Sequence, residues 1–366
     1  MSAARKRSKK KIVVGLSGGV DSSLAAALLK KEGHEVIGMT FRMWPKEECG
    51  TSIGRACCNL EAITRARAVA YDLGIPYYVV DLSAEFRREV IDYFCAEYIA
   101  GRTPNPCVAC NEKIKFGKLL EKARSMGASS IATGHYARVC RSRGRFILKE
   151  GADKLKGQSY FLFSLSQEQL ARSVFPLGDL NKARVRSLAR KMRLRTFDAE
   201  SSQDICFTQD ADYAEYIKKR TGASAGHGDI VDSAGAVLGR HKGITYYTIG
   251  QRRGLGIAHG RPLYVAAIDA AGNRVIAGTK GDVMKRSIVA DRMNWIAIDG
   301  IKGSMRVAAR IRYNHKKAGA VVTNSGSGAV RVDFYEPQFA PTPGQAVVLY
   351  RGDIVLGGGW IKEIQN

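Results

Sequence analysis

The stretch VVGLSGGVDSS, residues 13–23, decides the first part of the fold. The apolar run at its start predicts a strand, and the run LAAALL from Leu24 predicts a helix. Ser17, Gly18 and Gly19 then form the turn between them, where backbone N–H groups and the start of the helix favour an anion. The turn is neither a Walker A loop, G-x-x-x-x-G-K-[ST], nor the dinucleotide pattern G-x-G-x-x-G. For SGG alone, an ordinary strand-to-helix turn is the alternative.

The absence of a lysine from this loop bears on its chemistry. A loop that holds pyrophosphate without gripping the γ-phosphate for transfer suits a reaction that leaves AMP on the substrate. Asp21 is then a direct or indirect partner of Mg²⁺, which neutralises the phosphates. Ser22 and Ser23 can donate to phosphate oxygens or cap the helix.

The first half of the chain alternates between strand and helix patterns. Strands are predicted at residues 12–15, 35–41, 77–82 and 130–133, and helices at 22–31, 60–73, 84–99 and 116–125. This order predicts a Rossmann-like α/β domain with a parallel sheet covered on both faces. From residue 226 onward, short alternating segments predict a small β-rich domain and a β-barrel. We expect a basic flexible arm at 1–11, a catalytic domain at 12–212, a central domain at 213–284 and a barrel at 285–366.

The composition predicts a polyanionic partner and a cytoplasmic protein. The 366 residues include 58 Lys and Arg against 34 Asp and Glu, a net charge of +24. Such a balance favours nucleic acid, with general solubility as the alternative. No apolar run is long enough for a membrane span, and none follows the basic start as in a secretory signal. The 8 cysteines are too sparse for a disulfide scaffold, so reactive thiols or metal ligands are expected.

Two groups of cysteines stand out. Cys107 and Cys110 form C-x-x-C directly after TPNP, whose prolines predict a loop, and NEKIKFGKLLEKA then predicts a helix. A thiol beside Lys113 and Lys115 at the start of a helix is suited to nucleophilic chemistry. Four-ligand zinc is disfavoured, because no second C-x-x-C or H-x-x-x-H follows. Cys206 alone would be interpreted as a small buried hydrophobic residue.

Several motifs in order resemble the bacterial tRNA-specific 2-thiouridylase family of PP-loop ATP pyrophosphatases. They are GLSGGVDSS (15–23), AGRTPNPCVACNEKIKF (100–116), IATGHYAR (131–138), GQSYFL (157–162), SSQDICF (201–207), TIGQRRGLGI (248–257) and TPGQAVVLY (342–350). The resemblance implies a PP-loop domain of the adenine nucleotide alpha hydrolase type, a small central domain and a C-terminal β-barrel. It also implies ATP-dependent 2-thiolation of the wobble uridine, position 34, in Lys, Glu and Gln tRNAs.

The same resemblance implies a role for each site residue. Cys206 carries sulfur as a persulfide, and Cys110 is the partner nucleophile that releases sulfide or forms a disulfide with Cys206. The implied ATP site consists of Gly15, Leu16, Ser17, Gly18, Gly19, Val20, Asp21, Ser22, Phe41 and Gly134. The implied contacts to tRNA and its target base are Asn105, Pro106, Cys107, His135, Lys156, Gly157, Gln158, Arg312, Tyr313 and Gln345. A cysteine desulfurase or a relay protein is the implied sulfur donor.

One departure from the family leaves the sulfur route open. Cys107 stands where many members carry Asp. Cys107, Cys110 and Cys206 could ligate three irons of a [4Fe–4S] cluster and leave the fourth to bind sulfide, in place of the persulfide. Redox chemistry of the three thiols is a third route. The alternative functions are another PP-loop ligase, such as an amidating synthetase or a different tRNA sulfurtransferase, and an RNA-binding protein with a degenerate nucleotide site.

Overall fold

The computed structural model describes residues 9–43, 60–199, 205–208, 213–222 and 226–365. Most of the expected basic arm, residues 1–8, therefore lies outside the described residues, as does SSQD, residues 201–204, before Cys206. The chain forms two compact units. The first comprises Met1–Arg87 and Val108–Gln209, and the second comprises Arg88–Cys107 and Asp210–Asn366. Residues 88–107, which the sequence assigned to the catalytic domain, thus cluster with the C-terminal half.

The first unit is built on a parallel sheet, as the alternating pattern predicted. Its described strands are β1 (Lys11–Gly15), β2 (Glu35–Arg42), β3 (Tyr77–Asp81), β4 (Ser130–Ala132), β5 (Ala137–Ser142), β6 (Arg145–Glu150) and β7 (Ser173–Val174). Five of them pair in parallel in the order β3-β2-β1-β4-β7. Strands β5 and β6 form an antiparallel hairpin.

The central position of β1 determines where the glycine-rich loop lies. Val13 and Val14 have no accessible surface, and the helix Val20–Lys31 is apolar on most sides because it is enclosed by the core. Parallel strands end at the same edge of a sheet. The segments that follow β1 and β4 therefore meet at one edge, which is where ligands of such sheets bind.

The second unit contains the two β structures that the sequence predicted. Its described strands are β8 (Gly228–Val231), β9 (Val237–His241), β10 (Tyr264–Asp269), β11 (Arg274–Gly278), β12 (Met284–Trp295), β13 (Ser304–Arg310), β14 (Ala318–Gly326), β15 (Ala329–Phe339), β16 (Ala346–Arg351) and β17 (Ile354–Gln365). A small sheet has the order β10-β11-β8-β9. Six strands in the order β12-β15-β14-β13-β16-β17 close into a barrel through the pairing of β12 with β17. The apolar interior of the barrel includes Ile288, Val332 and Leu349.

The helices that the sequence predicted are present, but one begins earlier than expected, and others, such as Lys182–Lys191 and Tyr213–Thr221, were not predicted. The described helical segments are Val20–Lys31, Leu60–Asp72, Ser83–Phe86, Arg87–Asp92, Tyr93–Ile99, Pro106–Ala109, Cys110–Lys118, Leu119–Ser125, Ser159–Leu162, Gln167–Arg172, Lys182–Lys191, Tyr213–Thr221, Ile244–Tyr246 and Lys280–Val283. The prediction of a loop at Cys107 is wrong, because helical structure begins at Pro106. Proline is well suited to a first helical position, where its missing N–H is not needed. Within the described part of the chain, no helix is long and apolar enough to cross a membrane.

Candidate active site

The glycine-rich loop after β1 is shaped by its own serines. Ser22 Oγ accepts a hydrogen bond from the N–H of Ser17 at 3.1 Å and donates to the carbonyl oxygen of Gly19 at 3.1 Å. Ser23 Oγ donates to the same carbonyl at 2.9 Å. Gly19 is the N-cap of the helix Val20–Lys31, and within the described residues no side chain caps that helix. Its first N–H groups are thus available to an anion, which favours the phosphate-loop interpretation over an ordinary capped turn.

Two glycines are required by close approaches of the backbone. Gly18 has a φ of +73°, and a Cβ atom there would lie 2.4 Å from the carbonyl oxygen of Ala62. A Cβ atom on Gly134 would lie 2.8 Å from the backbone nitrogen of Ser22. The segment after β4 therefore touches the beginning of the helix, and Gly134 lies against Asp21 and Ser22. Its role in binding ATP stays a prediction.

Asp21 is the centre of a polar cluster that the sequence did not predict. Lys182 Nζ donates to both carboxylate oxygens of Asp21 at 2.6 Å, and the Tyr136 hydroxyl donates to Oδ1 at 2.7 Å. Burial raises the pKa of Tyr136, and the Asp21 charge raises it further, so the hydroxyl keeps its proton. The ion pair stays partly open to solvent, with the side chains of Lys182 and Asp21 16% and 29% exposed. The loop itself has no lysine, and Lys182, which is distant in the sequence, places an ammonium at Asp21.

The same cluster extends to the segment expected to contact tRNA. The backbone N–H of Lys182 donates to Asp153 Oδ2 at 2.9 Å, and Asp153 Oδ1 accepts from the N–H of Lys156 at 3.0 Å. Gln158 Oε1 accepts from the N–H of Tyr136 at 3.0 Å, and the Gln158 N–H donates to the Tyr136 carbonyl at 3.0 Å. Lys156 itself is exposed, and Gly157 is partly exposed. Residues 156–158 are therefore connected to the cluster around Asp21 through Tyr136 and Asp153.

Two metal sites were predicted, Mg²⁺ at Asp21 and an iron–sulfur cluster at three cysteines. Asp21 offers the carboxylate oxygens that Mg²⁺ prefers, and phosphate oxygens and water would complete its coordination. Both oxygens of Asp21 bind Lys182 here, so metal binding would require that ion pair to open. Among the described residues, no three His, Cys, Asp or Glu side chains are gathered to hold a metal ion. Cys107 belongs to the second unit and Cys110 and Cys206 to the first, so their ligation of an iron–sulfur cluster stays a prediction.

Two cysteines border the same short helix of the first unit. Cys110 is buried and Cys206 is partly exposed. Phe207, next to Cys206, meets the ring of Phe86 edge-on at 6.0 Å between centroids. The helix Ser83–Phe86 that carries Phe86 also packs against the helical segment Cys110–Lys118. The helix Ser83–Phe86 thus contacts both Phe207, the neighbour of Cys206, and the helical segment that begins with Cys110.

Asn111, which follows Cys110, is a further candidate. Its side chain is 3% exposed, and its Nδ2 donates to the carbonyl of Phe161 at 3.5 Å. Within the described chain its Oδ1 has no hydrogen-bond partner, which is costly for a buried acceptor. Asn111 is therefore a buried polar residue, adjacent to Cys110 in the sequence, whose acceptor oxygen no described group satisfies.

His135 and Phe41 are buried in the first unit. His135 is 8% exposed, its Nδ1 is 2.8 Å from Thr133 Oγ1, and its ring lies between Phe116 and Phe175 at 5.7 and 6.1 Å. Burial lowers the pKa of His135 well below its usual value, and Lys115 lowers it further, so the ring is neutral at neutral pH. It offers no positive charge to an RNA phosphate. Phe41 lies near the end of β2, two residues after the partner of Gly15.

The remaining predicted contacts lie in the second unit. Asn105 and Pro106 are buried, Cys107 is exposed and Tyr313 is partly buried. Arg312 Nη2 donates to the carbonyl of Ala340, and Gln345 Nε2 donates to the carbonyls of Thr103 and Pro104 at 3.0 and 2.9 Å. Arg312 and Gln345 therefore bind their own chain in this structure. Their contacts to tRNA stay predictions.

Sequence reasoning missed Tyr136 and Lys182. Tyr136 stands inside the motif IATGHYAR, where a hydroxyl two residues after Gly134 was a usable signal. Lys182 had no such signal, because it opens a helix among other basic residues and Asn181 marks only the helix start.

Comparisons with known proteins agree with the three-part architecture. Residues 10–210 match the model of a tRNA methyl transferase HUP domain, residues 214–279 a tRNA methyl transferase PRC-barrel domain, and residues 285–361 an aminomethyltransferase beta-barrel domain. A solved 4-thiouridine synthetase–RNA complex with bound ATP matches 58% of this chain and 50% of its own, at 15% identity and a TM-score of 0.35, too distant for argument.

Two relatives match almost the whole chain. The tRNA-specific 2-thiouridylase MnmA of Geobacter metallireducens is 50% identical over 359 residues, which cover 97% of each chain. The tRNA-specific 2-thiouridylase MnmA of Clostridium acetobutylicum is 46% identical over 353 residues, which cover 96% of this chain and 99% of the relative. Identity at this level along the full length, rather than any single motif, establishes that the chain belongs to the tRNA-specific 2-thiouridylase family.

Proposed function

We propose that this protein is a cytoplasmic enzyme that replaces the C2 oxygen of the wobble uridine, position 34, by sulfur in Lys, Glu and Gln tRNAs. ATP is consumed, and AMP and pyrophosphate are released. The observation that carries the proposal is the presence of the phosphate loop, Cys110 and Cys206 in one unit of a chain from this family. Two matching domain models are described as methyl transferase domains. A phosphate loop and two cysteines in the same unit are better suited to adenylation and sulfur transfer.

The first step activates the uridine. Its C2 oxygen attacks the α-phosphorus of ATP, the bond from that phosphorus to the bridging oxygen breaks, and pyrophosphate leaves. The N–H groups at the start of the helix Val20–Lys31 and the ammonium of Lys182 stabilise the charge on pyrophosphate. Asp21 would hold Mg²⁺ together with the phosphates once it is released from Lys182, and the metal would supply further neutralisation of charge. The C2 substituent is now AMP, a good leaving group.

The second step transfers sulfur without a cluster. The terminal sulfur of a Cys206 persulfide attacks C2, and AMP leaves. The Cys110 thiolate then attacks the Cys206 sulfur, the bond from that sulfur to the uridine sulfur breaks, and 2-thiouridine departs. A Cys110–Cys206 disulfide remains, and two electrons from a thiol reductant restore both thiols. A cysteine desulfurase or a relay protein renews the persulfide.

A reconstituted reaction tests the proposal. The protein is incubated with a persulfide donor, ATP, Mg²⁺ and a Lys-type tRNA transcript, and 2-thiouridine is measured by mass spectrometry of nucleosides. Cys110→Ala and Cys206→Ala should abolish thiolation while tRNA-dependent pyrophosphate release continues. Cys140→Ala, at an exposed cysteine of the same unit, should behave as wild type. Product from Cys206→Ala, or from a transcript with cytidine at position 34, would refute the assignment.

A further inference from the structure

One side of the helix Lys182–Lys191 in the first unit is basic and exposed. The sequence of this helix, KARVRSLARK, contains no Asp or Glu. With about 3.6 residues per turn, the buried residues Val185 and Ala189 lie on one side of the helix. The opposite side presents cations around two small residues and is here called the basic face. It consists of Ala183, Arg184, Arg186, Ser187, Arg190 and Lys191, all of them exposed.

The buried side fixes this helix to the core of the first unit. Val185 and Ala189 belong to the same apolar cluster as Val20, which starts the helix after the phosphate loop. Asn181 is the N-cap, and its side-chain oxygen accepts from the N–H of Arg184 at 2.8 Å. The basic face is thus presented by a packed and capped helix, so its cations project from a rigid support.

The fold does not neutralise these cations. Within the part of the chain that the structure describes, no ion pair involves Arg184, Arg186 or Lys191. Arg186 and Arg190 are like charges four residues apart, which destabilises a helix. Arg184 stands in the first turn, where the helix dipole disfavours a positive charge. The basic face therefore lowers the stability of its own helix, a cost that a polyanionic partner would offset.

The end of the helix adds a further cation. Arg193 has a φ of +53°, in the left-handed region that favours glycine. Its N–H donates to the carbonyl of Arg190 at 2.9 Å, and the N–H of Leu194 donates to the carbonyl of Ala189 at 3.0 Å. This pair of hydrogen bonds forms the usual helix-ending motif, but with an exposed arginine in place of glycine. A strained position thus carries positive charge next to the basic face.

The basic face borders the cluster around Asp21. The helix opens with Lys182, whose Nζ lies 2.6 Å from both carboxylate oxygens of Asp21. Burial raises the pKa of Tyr136 in that cluster, and the Arg186 charge acts in the opposite direction. A nucleic acid that places a base near this cluster brings its sugar–phosphate backbone towards the same helix.

The chemistry of the basic face is suited to phosphates. Arginine binds phosphate oxygens with two parallel N–H donors, and a serine hydroxyl such as that of Ser187 also donates to them. The small side chains of Ala183 and Ser187 leave room for a backbone to approach between the flanking cations. The ten residues of the helix extend over about 15 Å, so the cations can face more than one phosphate.

We infer that the basic face of the helix Lys182–Lys191 binds the sugar–phosphate backbone of the tRNA substrate, without reading its sequence. The inference deepens the proposed function and rests on it for the identity of the RNA. The surface is separate from Lys156, Gly157 and Gln158 and from the barrel residues that the family resemblance implies as tRNA contacts.

The test removes three charges from the basic face and compares the variant with one that loses three charges elsewhere. Glutamine is the replacement, because it is a good helix former. The control positions are exposed, lie in three other helical segments of the first unit and make no ion pair within the described residues. The basic-face variant is Arg184→Gln, Arg186→Gln and Lys191→Gln together, and the control variant is Lys31→Gln, Arg67→Gln and Arg87→Gln together.

The measurements are the Kd for a Lys-type tRNA transcript between about 50 and 300 mM KCl, the thiolation kinetics and the thermal denaturation of the free protein. For the basic-face variant, the slope of log Kd against log salt should fall by about two to three, since each phosphate contact contributes roughly 0.7–0.9. The KM for tRNA should rise while kcat changes less than about threefold. The Tm should be unchanged or higher, because repulsion between like charges is relieved. The slope of the control variant should fall by less than about one.

A cross-linking experiment tests for direct contact. A photo-crosslinking amino acid is placed at Ser187, in the middle of the basic face, and the protein is irradiated with radiolabelled tRNA. We expect a cross-link that unlabelled tRNA competes away. Its absence, with tRNA bound, would overturn the inference, because charge acting at a distance produces no cross-link.

Three other results would also overturn the inference. An unchanged salt slope and Kd for the basic-face variant would show that this surface does not meet RNA. An equal loss of affinity in the control variant would show that only the net charge of the protein acts. A lower Tm would show that the cations support the fold. If wild-type protein binds tRNA but does not thiolate it, the proposed function fails, while the binding comparison still decides the role of the basic face.

Discussion

The ion pair between Lys182 and Asp21 offers the sharpest test of the nucleotide site. Lys182→Met removes the ammonium and keeps most of the side-chain length. At an effective dielectric constant of about 20, the attraction across 2.6 Å is roughly 6 kcal/mol. Desolvation and side-chain ordering offset most of that, and both side chains are partly exposed. We therefore expect the free energy of unfolding to fall by about 1–3 kcal/mol, measured by urea denaturation.

The same variant should impair catalysis beyond its effect on stability. If Lys182 stabilises the departing pyrophosphate, its loss should lower kcat/KM for ATP by about 10²-fold, the cost of removing one electrostatic contact to developing charge. Pyrophosphate release is the assay. Lys154→Met is the control, because Lys154 is 67% exposed and pairs with Glu150 at 3.4 Å in the same unit. It should change stability by less than about 1 kcal/mol and leave ATP kinetics intact.

Two outcomes would refute the reasoning on Lys182. A variant that loses stability but uses ATP at the wild-type rate would make Lys182 a structural partner of Asp21 only. A variant of unchanged stability would show that the ion pair contributes nothing to the folded state. In the first case Asp21→Asn should still impair ATP use, because Asp21 is proposed to hold Mg²⁺, and this difference would separate the roles of the two residues.

Two further predictions concern the loop and the buried histidine. Gly18→Ala should lower stability by about 1–3 kcal/mol, because of its positive φ and the 2.4 Å approach to Ala62. Gly19→Ala, whose Cβ would meet no described atom nearer than Ser17 Oγ at 3.5 Å, should fold normally but bind ATP more weakly. Thermal denaturation with and without ATP checks both, and normal ATP stabilisation would contradict the phosphate-loop role. The pKa of His135 is lowered in the folded state. The contribution of the neutral ring to stability is therefore complete above pH 6.5, the ordinary pKa of histidine, and is lost as the pH falls below that value. The unfolding free energy should then decrease by up to about 1.4 kcal/mol per pH unit, less steeply in His135→Gln, and equal slopes would contradict a buried neutral ring.

The features that the sequence predicted well depend on short stretches of chain. Alternating strand and helix patterns predicted the parallel sheet, because each element is determined by its own periodicity. The same holds for the glycine-rich loop, where Ser17, Ser22 and Gly19 contact each other within five residues. The helix start at Pro106 was not predicted, because the local sequence around a proline is ambiguous. Proline both interrupts helices and begins them, and only the backbone path decides between the two.

The features that the sequence could not predict depend on distant contacts. Tyr136 and Lys182 reach Asp21 from 115 and 161 residues away, and Gln345 reaches Thr103 across 242 residues. No local pattern encodes such pairs. A basic residue on a basic helix and a glutamine in a barrel are each expected to face solvent or RNA. Only the tertiary structure shows that their donors bind carboxylate or backbone oxygens of the same chain.

The site around Asp21 contains a cation that the phosphate-loop motif lacks. The loop contains no lysine, which predicts a loop that holds pyrophosphate without gripping the γ-phosphate. The premise is correct, but it applies to the loop and not to the site. In this structure an ammonium lies at 2.6 Å from both oxygens of Asp21, held in place through a backbone hydrogen bond from Lys182 to Asp153. The charge at a phosphate site is set by every element that reaches it. A missing residue in a motif therefore excludes a contact only when no other element can supply the group.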